Sequence, residues 1–178
     1  MNVVQESIGL YGSAAVSGFA DWLQGTSASG AIKSVSWIIP LIQSVHIVMI
    51  GVVFVSCLMI VLRVLGVMRT DEPVEAVWRR FAPWMWSALA VMAATGITLV
   101  VGEPEREFGT VSFWMKMLLV AIGVSGTALY GRSLKAAAVG APAEFPVSVR
   151  AASILIVIVW LAVIFLGRAI AYDKQVWG

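Results

Sequence analysis

The chain is 178 residues long, 60% hydrophobic and 12% charged, with a mean hydropathy of +0.93 and a formal net charge of +2. Soluble domains carry roughly 25% charged residues, so this composition argues against a soluble enzyme, a disordered segment or a disulfide scaffold. A charge this small, with no Lys/Arg cluster, also argues against nucleic acid as the main partner.

Residues 1–30 lack the basic start and compact apolar core of a secretory signal. Val4, Ile8, Tyr11, Ala15, Phe19 and Trp22 instead recur at helical spacing. This pattern predicts an amphipathic helix lying in the membrane interface, ended by the Gly/Ser-rich residues 25–30. A bilayer core of about 30 Å needs about 20 apolar residues in a helix. Residues 35–62, 81–101, 111–131 and 148–170 meet that requirement. Because lipid offers the backbone no hydrogen-bond partner, apolar runs this long without alternation are helices. Short loops make successive spans antiparallel. The predicted fold is therefore an all-α integral membrane protein in the lipid bilayer. It comprises an interfacial segment over residues 1–30 and an up-down four-helix transmembrane bundle over residues 31–178.

Basic residues near span ends set the expected orientation. Arg63, Arg69, Arg79 and Arg80 follow the first span, and Arg132, Lys135 and Arg150 follow the third. Those loops are expected in the cytoplasm, with both termini outside. Trp22, Trp37, Trp114, Tyr172 and Trp177 then form an outer aromatic belt, and Trp78, Trp84, Trp86 and Tyr130 an inner one. Trp160 falls near the midplane and is expected to pack between helices. Gly123, Thr127 and Gly131 make a small-residue stripe along the third span, which predicts close helix approach. Cys57 is the single cysteine, in an apolar run, and is read as a small buried hydrophobe. Arg63 is expected to pair with Asp71, Glu72 or Glu75, and Arg168 with Glu103, Glu105 or Glu107.

His46 is the single histidine and lies roughly 15 Å inside the first span. An ionisable group at that depth is costly and marks a functional site by default. Pro40, one turn before Gln43, is expected to free a backbone carbonyl and bend the helix. Met92 and Thr95 on the second span and Lys116 on the third lie at the depth of His46. Gln43, His46, Met92, Thr95 and Lys116 are therefore the candidate cofactor-binding residues, with His46 the candidate metal ligand. Two cofactors suit a neutral imidazole here. One is haem b, taken by His46 with methionine, with no second protein ligand, or with a second His46 across a homodimer or larger complex. The other is copper, held with Met49, Met92 or Met117. Lys116 either snorkels to the outer surface beside the acidic loop or turns towards this pocket.

The string WIIPLIQSVHIVMIGVVFVSCLMIVLRVLG, with RRFAPWMWSALAVMAATGITLVVGEP and FWMKMLLVAIGVSGTALYGR, resembles a family of small bacterial four-helix membrane proteins defined only as a domain of unknown function. More distantly it is similar to four-helix oxygen-independent protoporphyrinogen oxidases and to copper-resistance membrane domains. His46 and Lys116 match the early histidine and the third-helix lysine of the oxidases. The resemblance implies a bacterial inner-membrane location and, through the oxidases, haem. Ser125, Thr127 and Tyr130 stand where a second histidine would give two-histidine ligation. Three readings stand side by side: a haem or redox-cofactor protein, a copper or small-solute handling protein, and an accessory subunit in which His46 is interhelical glue.

Overall fold

The structure, a computed structural model, describes residues 14–137 and 145–172, and every regular element among them is helical. In chain order these are α1 (Ala14–Gln24), α2 (Ser27–Ser34), α3 (Ile38–Val64), α4 (Val74–Gly102), α5 (Pro104–Phe108), α6 (Val111–Ala137) and α7 (Val147–Ala169). A 3-10 turn, Ile170–Tyr172, follows α7. Four helices, α3, α4, α6 and α7, are long and apolar enough to cross a membrane. The chain is an all-α, multi-pass membrane protein.

Local chemistry set the element ends at three places. The first helix ends at Gln24, just before residues 25–30 as expected, but Thr26 then caps a new helix, α2, from an extended backbone (φ −74°, ψ 150°). Its Oγ1 accepts from the Ser29 N–H at 3.3 Å. Serine and threonine weaken helix interiors but start helices well, and the cap outweighs the turn-like composition. Val4, Ile8 and Tyr11 of the expected amphipathic stripe lie outside the described residues. The second span begins at Val74 rather than at residue 81, with Pro73 before it and Glu75 in its first turn, where a carboxylate suits the helix dipole. Finally, α3 begins at Ile38, which puts Pro40 in its first turn. An N–H there has no intrahelical partner in any case, so Pro40 frees no carbonyl inside the span, contrary to expectation.

The described residues fall into two compact units. One draws on residues 14–48, 91–117 and 165–172, the other on 49–90, 118–137 and 145–164. In the first, α1 packs on α5 through Phe19 and Phe108, whose ring centroids are 5.7 Å apart. Phe108 also meets Phe113 and Trp114 at 5.5 and 6.0 Å. Gln24 Nε2 donates to Glu105 Oε1 at 2.5 Å, and Lys33 Nζ donates to Gln24 Oε1 at 3.0 Å, which ties α1, α2 and α5 together. Arg168 does not reach the acidic loop. It lies over the Tyr172 ring, 5.4 Å from the centroid, because a partner one turn away needs less ordering of a long side chain.

In the second unit Val53, Cys57, Ile60 and Val64 of α3 are buried with Val77, Met85 and Ala88 of α4, Leu134 of α6, and Ile156, Trp160 and Val163 of α7. Cys57 is the buried small hydrophobe the sequence implies, and Trp160, 3% exposed, packs between helices. The small stripe on α6 receives rings rather than a neighbouring backbone. Gly123 lies under the edge of Trp160, whose Nε1 donates to Thr127 Oγ1 at 3.2 Å. Gly131 lies under Trp78 of α4. Ser153 donates to Val149 O at 2.8 Å, so its single hydrogen is used and Tyr130 O–H is the donor in their 2.6 Å contact. Arg63 Nε donates to Glu72 O at 2.6 Å, and Arg69 and Arg80 hold the Glu72 carboxylate at 2.7 and 3.1 Å. Of the three carboxylates expected for Arg63, the backbone of Glu72 is the partner.

Candidate functional site

His46, Thr95 and Lys116, on three of the spanning helices, all lie in the first unit. His46 stands on α3, half-buried, and Thr95 on α4 meets it, with Nδ1 and Oγ1 2.7 Å apart. The Thr95 hydroxyl also lies 2.9 Å from Val91 O and 3.1 Å from Met92 O of its own helix. A threonine has one hydroxyl hydrogen, and the helix carbonyls take it. Thr95 Oγ1 then accepts from His46, so the bonding pattern assigns the ring proton to Nδ1. The Nε2 lone pair is left as the chemically available atom, and it makes no hydrogen bond among the described residues. A histidine held through one nitrogen, with the other bare, is the arrangement that orients an imidazole for ligation.

Gly96, next to Thr95, borders the ring at ordinary contact distance. A Cβ built there would lie 3.6 Å from His46 Cε1, and no other atom would come within 4 Å. Lys116 approaches from α6. Its Cδ, Cε and Nζ all lie 3.9 Å from where a Cβ on Gly167 of α7 would stand. The lysine is half-buried, whereas Met115 and Met117 on either side of it are exposed. Its charge acts both on His46 and on Glu107 of α5. Lys116 therefore does not simply escape to the surface, and its ammonium makes no hydrogen bond or ion pair within 4.0 Å among the described residues.

Of the five candidates, the structure joins His46 directly to Thr95 and places the charge of Lys116 within electrostatic range of the ring. Gln43 and Met92 are half-buried on their helices. Met92 contributes its backbone carbonyl to Thr95 rather than a side-chain contact with His46. Glu107 belongs to the acidic loop expected beside Lys116, whereas Gly96 and Gly167 were not foreseen in the site. A glycine directly after the threonine opposite a half-buried histidine is a usable signal for Gly96, and nothing in the sequence marks Gly167.

Glu107 gives the site a pH dependence. Burial pushes its carboxyl above the ordinary range and Glu103 adds to this, while Lys116 and Arg106 pull it down. The folded state therefore binds a proton more readily than the unfolded chain. This contribution to stability is complete below the ordinary glutamate range and is lost as pH rises through the elevated value. In detergent, the unfolding temperature is expected to fall over that window in the native chain. Glu107→Gln is expected to flatten the fall, as measured by thermal melts at a series of pH values.

Residues 19–173 match the model of a family of unknown function, DUF6644. No curated protein and no solved structure matches the chain.

Proposed function

The chain belongs to the DUF6644 family of unknown function, and we propose that this small membrane protein binds haem b, with His46 Nε2 as the axial ligand. The observation that carries this reading is the imidazole fixed through Nδ1 to Thr95 at 2.7 Å with Nε2 unbonded. The donor set favours a ligand that brings its own donors. The chain has one histidine and one cysteine, and Cys57 belongs to the other unit. Haem brings four equatorial nitrogens and needs one protein ligand, with a protein cation to pair with a propionate. His46 and Lys116 fit those two roles. The chemistry haem would supply is one-electron transfer.

On the same reading both termini face the periplasm of a bacterial inner membrane. The basic residues after α3 and α6 support that orientation.

A second reading rests on the same hydrogen bond, which by itself links α3 to α4 in an accessory subunit without a cofactor. Interhelical hydrogen bonds of this kind average about 0.6 kcal/mol. That is little return for an imidazole at membrane depth, so ligation is the better account. The test is an absorption spectrum with metal analysis on full-length protein purified in detergent after expression with ample haem. A Soret band with iron near one per chain is the expected result. Colourless protein, or copper in place of iron, overturns the haem reading.

A further inference from the structure

We propose that the second unit carries a binding site for the phosphate of an anionic phospholipid, formed by Arg79, Arg132 and Lys135 around the Trp78–Gly131 contact. A Cβ on Gly131 would lie 2.5 Å from Trp78 Cζ2, so the indole rests directly on the α6 backbone. That contact brings the first turns of α4 against the last turns of α6. Arg79 follows Trp78, Arg132 follows Gly131, and Lys135 lies one turn beyond Gly131 on α6. All three cations are exposed. None has a hydrogen bond or a carboxylate within 4.0 Å among the described residues, nor does the Trp78 indole N–H have an acceptor.

Glu75, one turn before Arg79, forms no ion pair with these cations among the described residues. The Glu72 carboxylate is taken by Arg69 and Arg80. Among the described residues this unit holds seven basic and three acidic residues, a net charge of +4, whereas the other holds four of each, a net charge of zero. The location selects the ligand. The apolar run of α4 begins only three residues after Trp78, so these cations stand where a spanning helix leaves the hydrocarbon and lipid phosphates lie. An indole flanked in sequence by exposed cations on both helices suits a phosphodiester whose acyl chains remain in the bilayer.

The test is native mass spectrometry of the full chain in mixed micelles with phosphatidylglycerol, phosphatidylcholine or inorganic phosphate. Phosphatidylglycerol is expected to be retained in preference to phosphatidylcholine. Arg79→Gln with Arg132→Gln is expected to weaken it about thirtyfold, at about 1 kcal/mol per cation. The double lysine variant is expected to recover most of that affinity, which separates charge from misfolding. Arg168→Gln, in the other unit, is expected to leave it unchanged. Equal retention of phosphatidylcholine, or an unaltered double glutamine variant, overturns the site. Inorganic phosphate binding as tightly as the lipid overturns the lipid as its occupant.

Discussion

His46→Gly is expected to yield protein without a Soret band, and added imidazole is expected to restore part of it. The imidazole of His46 is the only one in the chain, so no other histidine can take its place. Free imidazole can occupy the space left beside Gly96, where a Cβ would meet His46 alone. Thr95→Val extends the test by keeping the shape of the side chain while removing the oxygen that accepts from Nδ1. Loss of such an orienting partner weakens metal binding about 10–100-fold. A structural role predicts something different. Each variant would then lower the unfolding temperature by the worth of one interhelical bond, and neither would change the spectrum. Absorption titration with haem, run beside thermal melts, separates the two. An unchanged haem affinity in both variants would remove His46 from the site.

Gly131→Ala is expected to destabilise the protein by up to about 2 kcal/mol, although alanine is the better helix former. Inside a helix alanine is favoured over glycine by about 1 kcal/mol, while overpacking a filled contact costs about 1–3 kcal/mol. The second effect wins here because the new methyl would occupy the place of the Trp78 ring. Gly126 on the same helix is a matched control, since a Cβ there meets nothing within 4 Å. Gly126→Ala is expected to be neutral or stabilising. In a Trp78→Ala background, Gly131→Ala is expected to lose its penalty, and a double-mutant cycle by thermal or chemical unfolding measures the coupling. Equal effects at Gly126 and Gly131 would mean that the indole does not rest on this helix.

The four spans were legible because apolar length is a one-dimensional property. A run such as ILIVIVWLAVIFLG admits no other structure in lipid. Their ends were less legible because ends depend on caps and prolines. Thr26 starts a further helix within the residues that end the first, and Pro73 with Glu75 let α4 start before its apolar run. The site was partly legible for a similar reason. Depth counted along a helix placed His46 level with Thr95, but which faces meet is set by rotation about each axis, and composition carries little of that. The stripe of Gly123, Thr127 and Gly131 shows the limit well. Its spacing marked an interface, yet not that two indoles would fill it.

The clamp on Glu72 bears on how the protein is made. Its three arginine contacts span nine, three and eight positions of sequence, against 33 for Trp160 and Thr127. Local contacts close with little loss of chain entropy. The turn between α3 and α4 can therefore lock as it leaves the ribosome, before α6 and α7 have been synthesised. The His46–Thr95 bond also joins only α3 and α4. At 49 positions apart, the His46–Thr95 pair can close only once α4 has followed α3, and α6 then supplies Lys116.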